Sequence, residues 1–462
     1  MRAMTWIRMC SARCTRNAFL YPIACTLLLS ALPCGAQTFY VATTGDDNSG
    51  DGSLTSPWAS IARGLAHLHD NNLDGATLLV RTGTYNARQS LVGTFASGVT
   101  VRSEVPYQAR LHSNNRPVIA YPNSRGASGI TLEGFDIAHA GPGASPLAMH
   151  IDGGGGNAGI GDIIIRNNVF HDSYYSDLLK INNGAANIIV EGNMFYNQTG
   201  SDEHIDVNSV EDVIVRDNVF FNDFAGSGRT NGNNTGSYIV IKDSNDDEDI
   251  FVGNDRISVQ RNVFLNWEGS TGSNFVLIGE DAKPYIEARN VLVENNLMLG
   301  NSPNVMRAAL GVKSGENVTF RNNTVSGDLP ALAYAMRVNV ENPLVTNDEI
   351  YFYNNIWSDP TGTMGASFGG ANDFSDAPPG ETTNWELLNN QYYNGGSGIP
   401  SSGSELINYT DDPNRIVADT GLPDQNAVVV PRWNPASGQF ADGSITIRQT
   451  FENLVMQYGR PS

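Results

Sequence analysis

The chain has 462 residues, with 28 Lys and Arg against 48 Asp and Glu, and four cysteines, Cys10, Cys14, Cys25 and Cys34. All four lie within residues 1–36, so the remainder has neither disulfides nor thiol chemistry and must be held by a large core. Residues 1–36 also carry four arginines and no acid, leaving 24 basic residues against 48 acidic ones beyond them, a net charge of −24 that repels nucleic acid and anionic membranes.

Residues 1–36 read as a secretory signal peptide. MRAMTWIRMCSARCTRNAF is basic, YPIACTLLLSALP is apolar but too short to span a bilayer, and Cys34-Gly35-Ala36 offers a small-residue cleavage site. The expectation is a secreted or periplasmic protein with no membrane segment. Residues 37–75 are expected to form an N-terminal strand and a short capping helix. Ser56 and Pro57 would be its N-cap and first turn, with Trp58, Ile61, Leu65 and Leu68 on one face.

Residues 76–400 carry a repeat. IIIRNNVF (163–170), IIVEGNMF (188–195), VIVRDNVF (213–220), ISVQRNVF (257–264), VLVENNLM (291–298), VTFRNNTV (318–325) and IYFYNNIW (350–357) share alternating apolar positions and an aligned asparagine: Asn168, Asn193, Asn218, Asn262, Asn296, Asn323 and Asn355. Such alternation reads as strands. A shortest spacing of 25 residues fits one coil of an all-β, right-handed parallel β-helix (solenoid), with the asparagines stacked as an amide ladder at one turn and the longer gaps as loops. Residues 401–462 read as an irregular segment and cap, with Phe451, Leu454, Val455 and Tyr458 at helical spacing.

Each coil has an earlier strand about ten residues before the patterned one. Apolar residues must point inward, so alternation sends the others outward. The outward positions collect His150 and Asp152; Lys180 and Asn182; His204, Asp206 and Asn208; Tyr238 and Lys242; Glu280; Lys313; and Arg337 and Asn339. Coils about 4.8 Å apart bring such groups within reach of one another, where close charges shift each other's pKa. Tyr174, Tyr175, Tyr238 and Trp267 are candidates to stack on sugar rings. The acidic stretch DSNDDEDIFVGND (243–255) offers Asp243, Asp246 and Asp247 as oxygen ligands for Ca²⁺, without EF-hand spacing.

FYVATTGDDNSGDGSLTSPWASIARGL and the stacked NNxF-type coils resemble the pectate-lyase-like superfamily of right-handed parallel β-helices, across most of residues 38–395. VKSGENVTFRNNTVSG followed by MRVN is similar to the alginate lyase and chondroitinase B family. That resemblance implies Lys313 as a base and Arg337 as its helper. The chain departs from that family in having Arg-Val-Asn where it has Arg-His-Gly, and NVMRAALGV where it has acidic calcium ligands.

The expectation is a polysaccharide lyase cleaving a uronic-acid polymer (alginate-, pectate- or glycosaminoglycan-like) by β-elimination. Lys180 would be the base and His204 or His150 a proton carrier. Asp206, Asp152 and Asn208 would orient them or hold a cation, and Lys313 with Arg337 forms a rival centre. Asn182, Asn208, Tyr175, Tyr238 and Lys242 would bind substrate. A glycoside hydrolase using Asp206 and Asp177, a non-catalytic carbohydrate-binding solenoid and a uronate epimerase are the alternatives. The partner expected is a polysaccharide, and the chain is expected to be a monomer.

Overall fold

The computed structural model describes residues 37–246, 249–301, 304–327, 334–365, 373–425 and 427–459; residues 1–36, which hold the expected signal peptide and all four cysteines, and Asp247 lie outside the described residues. A representative coil runs Leu179–Asn182, Ala186–Glu191, Met194–Tyr196, and the next runs Ile205–Asn208, Glu211–Arg216, Val219–Phe221. Stacking these coils builds three parallel sheets. The middle strands form a first sheet of twelve, the leading strands a second of ten, and the closing strands a third of twelve. The chain is a parallel β-helix.

The alternation that predicts the strands also fills the interior. In Ala186–Glu191 the side chains of Ile188 and Val190 point in, and they lie beside Val213 and Val215 of the next coil. Phe170, Phe195, Phe220 and Phe264 stack inside the coil at 4.8 to 5.0 Å between ring centres.

The asparagine ladder forms as expected and runs further. Each side-chain oxygen accepts the backbone N–H and the amide of the preceding coil's asparagine, as Asn193 does from Asn168 at 2.9 and 3.1 Å. The chain passes through Asn218, Asn262, Asn296, Asn323 and Asn355 to Asn390 and ends on the carboxylate of Asp412. The residue just before a ladder asparagine takes a left-handed conformation, as at Asn167 (φ 54°), Gly192 (φ 64°) and Asp217 (φ 58°). Asn, Gly and Asp tolerate that region best, which explains the recurrent NN, GN and DN pairs.

Helix α1 spans Ile61–Asp70 and buries Ile61, Leu65 and Leu68. It packs on the strands of the first coils, Thr38–Val41, Thr77–Val80 and Gly93–Ser103. Its N-cap is Ser60, not Ser56: the Ser60 hydroxyl accepts from the Arg63 N–H, while Asp47 accepts the backbone N–H groups of Ala59 and Ser60. Trp58 is buried before the helix begins, bridged to Val41.

Helix α2, Ile447–Tyr458, forms at the expected place but covers the outer face of the third sheet. Leu454 and Tyr458 join Trp433 and Phe440 in a second apolar cluster with Val169, Met194, Tyr196 and Phe221, while Val455 stays exposed. Among the described residues no helix is long and apolar enough to cross a membrane.

Candidate active site

The second sheet carries the candidate residues, and parallel register decides which of them meet. His150 lies beside Lys180, Lys180 beside Asp206, and Asp206 beside Val240. Two residues on, Asp152, Asn182, Asn208 and Lys242 form a second file. Outward pointing, inferred from alternation, therefore places Lys180 and Asp206 together.

The Lys180 ammonium lies 2.5 Å from a carboxylate oxygen of Asp206, which is 2% exposed against 22% for the lysine. Burial pulls the Lys180 ammonium down, but the Asp206 and Asp177 carboxylates more than reverse this and hold it above the ordinary lysine value. A lysine held so firmly protonated is a poor base, so its expected role as proton acceptor is corrected to a fixed positive charge. Lys242 is held protonated in the same way: carboxylates overcome its burial, and it pairs with Glu280 at 3.2 Å and Asp281 at 3.7 Å.

Nearby acids are raised as well, toward their neutral form. Burial, and then the neighbouring Asp206, raise Asp177 to about 7. Burial also raises Asp202, and raises Glu203 well above the usual carboxylate range. Carboxylate oxygens of Asp177, Asp202 and Glu203 lie within 4.8 Å of one another. Glu203 Oε2 and Asp206 Oδ1 are buried without a hydrogen-bond partner among the described residues. Asp202 and Glu203 were not among the sequence candidates, although the doublet directly before His204 was their signal.

His150 is buried. Its Nε2 donates to Asn182 Oδ1 at 2.8 Å, and its Nδ1 lies 2.5 Å from the Tyr121 hydroxyl, from which it accepts in the neutral ring. Burial agrees, pushing its pKa down to about 4. Both nitrogens are engaged, so His150 orients Asn182 and does not carry protons.

His204 and Tyr238 contradict their expected positions. Both precede their strands, at the corner where alternation does not apply, and both rings turn into the interior. They stack at 4.3 Å between centres, His204 beside Phe220 and Tyr238 beside Phe275. His204 donates to Asn222, and burial pushes it down to about 3. Tyr238 gives its hydroxyl to the carbonyls of Leu265 and Asn266. Trp267 is buried with them. None of the three reaches a substrate.

Other expected binding residues divide. Tyr175 is 59% exposed and free to stack on a sugar. Asn182 is partly exposed. Asn208 is buried, and its side chain is spent on Ser244, so it binds no substrate. Of the expected metal ligands, Asp243 and Asp246 are engaged within the protein, and Asp247 lies outside the described residues. Asp243 accepts the N–H groups of Asn245 and Gly253, while Asp246 pairs with Lys283 and Tyr285.

Lys313 and Arg337 lie farther along the same sheet. Lys313 follows the strand Ala308–Val312, four strands from Lys180, or about 19 Å. Arg337 stands beside Gly311 and pairs with Asp376 at 3.5 Å. Burial, then the Arg337 charge, push Lys313 down to about 8. Glu280, Glu287 and Asp281 oppose that shift, and Glu341, on the turn after the Arg337 strand, touches the Lys313 ammonium as a further anion.

Among solved structures, the chain is similar to GH136 lacto-N-biosidase from Eubacterium ramulus, with TM-score 0.51 and 12% identity over 83% of this chain and 67% of that one. It is similar to a mannuronic acid specific polysaccharide family 6 lyase from human gut microbiota, with TM-score 0.50 and 12% identity over 84% and 89%. An alginate lyase from Paenibacillus sp. str. FPU-7 aligns at TM-score 0.43 and 14% identity over 79% and 99%. These likenesses are of fold: polysaccharide lyases and glycoside hydrolases share this parallel β-helix. No family model matches the sequence, and no curated protein matches it.

Proposed function

We propose that the chain cleaves a uronate-containing polysaccharide by β-elimination, with Lys313 as the base and Arg337 as the cation that meets the uronate carboxylate. One observation carries this reading. Lys313 is a buried lysine near the Arg337 charge, and apart from its contact with the movable Glu341 these two push it down to about 8, whereas Lys180 and Lys242 are held protonated by buried or fixed carboxylates. A base for this reaction must be able to lose its proton near working pH.

In the proposed reaction, neutral Lys313 takes the proton α to the uronate carboxylate. Arg337 stabilises the negative charge that builds on that carboxylate. The electron pair forms the ring double bond as the neighbouring glycosidic carbon–oxygen bond breaks, and the leaving oxygen takes a proton from solvent. Glu341, one-third exposed, covers Lys313 and has to swing aside; an incoming uronate would take its place as the anion.

An acidic polymer approaching residues 37–462, whose net charge is −24, needs cations. The residues that fit a Ca²⁺ ion are Asp177, Asp202 and Glu203, since their oxygens converge and Glu203 Oε2 has no partner among the described residues. Bound there, Ca²⁺ would supply positive charge to an acidic sugar.

A second reading rests on Asp177. A carboxyl pushed to about 7 by burial and by its neighbour Asp206 is how a glycosidase separates its acid from its second carboxylate. Incubation with a panel of uronate and neutral polysaccharides separates the two. Elimination gives an unsaturated product that absorbs in the ultraviolet together with reducing ends, whereas hydrolysis gives reducing ends alone. Reducing ends without unsaturation would reject the lyase reading.

A further inference from the structure

A cluster on the third sheet takes no part in this reaction. His112, Asp136 and His171 come from three successive strands, Ala109–Ser113, Asp136–His139 and Val169–His171. His112 and His171 both stand in register with Ala138, so only a methyl group separates the two rings on the middle strand. Asp136 lies two residues before Ala138, on the same face. The rings are 5.7 Å apart at 78°, and the Nε2 atoms of both lie 2.7 Å from one oxygen of Asp136. Each residue thus offers one ligating atom within 4.8 Å of the others.

The surroundings hold that convergence in place. His171 Nδ1 donates to Asp172 at 2.8 Å; Asp172 is itself held by Arg229 at 2.8 Å and Asn197 at 3.1 Å. Its ring stacks on Tyr196, 5.1 Å between centres and 10° from parallel. A carboxylate on the far nitrogen is the usual outer partner of a metal-binding histidine, because it fixes the tautomer and leaves Nε2 free to ligate. Asp136 is buried, while His112 and His171 keep 22% and 14% of their side-chain surface, enough for an ion and its water to enter.

We propose that His112, Asp136 and His171 bind one divalent transition ion of the zinc class, with water completing the shell. Two imidazole nitrogens and one carboxylate suit Zn²⁺ or Co²⁺, whereas Ca²⁺ and Mg²⁺ prefer all-oxygen shells. On binding, the Nε2 protons leave to solvent, both rings ligate as neutral imidazoles, and His171 keeps its Nδ1–H on Asp172. Bonds of about 2.0 Å at tetrahedral angles require the two contacts to open to about 3.3 Å, a shift within reach of side-chain rotation. The ion would tie three consecutive coils together on a different sheet from Lys180 and Lys313, so it bears on stability rather than on the elimination.

The test is titration of the chelator-stripped chain from residue 37 onward with Co²⁺, read by its visible ligand-field bands, and with Zn²⁺ by calorimetry. One equivalent of tight binding and a raised Tm are expected. His112→Gln and His171→Gln should each abolish it, Asp172→Asn should weaken it about 10–100-fold, and His69→Gln should leave it unchanged. Absence of bands in the unsubstituted chain, or binding that survives both histidine substitutions, would overturn the proposal. Should those variants not fold, X-ray absorption on the Zn²⁺-loaded unsubstituted chain decides: two imidazole ligands support the site, and any other number rejects it.

Discussion

The Lys180 ammonium and the buried Asp206 carboxylate stand side by side on adjacent coils, 2.5 Å apart. The pair is a fixed charge arrangement, and its energetics follow from burial. Lys180→Met leaves Asp206 buried without its partner and should cost about 3 kcal/mol, while Lys180→Met with Asp206→Leu should recover most of that. Urea unfolding of the single and double variants measures it. Equal losses in both would mean that packing, not charge, holds this position.

Asp177 makes stability depend on pH. Its folded-state pKa, about 7, lies above the usual unfolded value of 3.8. The stability it contributes is therefore complete below about pH 4 and is lost as pH rises through 7. Asp177→Asn keeps a neutral group throughout. Its stability relative to the parent should rise between pH 4.5 and 7 by up to about 1.4 kcal/mol per pH unit. A difference that stays flat across that range would show Asp177 to be charged in the fold.

The His204 ring sits among aromatic rings and makes one hydrogen bond among the described residues, to Asn222, while its Nδ1 is buried with no partner there. His204→Phe should therefore change stability by less than about 1.5 kcal/mol and leave turnover within twofold, because lost hydrogen bonding is offset by relief of the orphaned nitrogen. A large fall in turnover with an intact fold would restore a chemical role for the ring.

The ladder spreads its cost over the coils. Asn218→Ala leaves the Asn193 N–H and amide without their acceptor and frees the Val190 carbonyl, all in buried surroundings. The expected loss is about 2–4 kcal/mol by denaturant unfolding. A loss below about 1 kcal/mol would show the ladder to be incidental.

Much of this was legible in the residues themselves. The 25-residue spacing and the recurrent asparagine announce stacked coils, and alternation within strands places Lys180 beside Asp206. Alternation stops at strand edges, so it says nothing reliable of His204 or Tyr238, each one residue outside its strand. It also hides Asp202 and Glu203, which reach the site from a loop. The docking of α2 had a visible signal. Val219, Phe220 and Phe221 are apolar in succession, and a strand apolar on both faces must be covered on both. The depressed pKa of Lys313 depends on burial and on Arg337, separated from it by an excursion of the chain, and no local pattern reports that.

The central claim is that Lys313 removes the proton, and the pH dependence of kcat/KM for unsaturated-product formation tests it most directly, in the parent chain, Lys313→Ala and Glu341→Gln. The account predicts that the parent rate rises with pH as the Lys313 ammonium loses its proton. It predicts no product from Lys313→Ala, and a rise displaced to lower pH in Glu341→Gln, where the opposing carboxylate is gone. Product formation by Lys313→Ala at the parent's rate and with the parent's pH profile would contradict it.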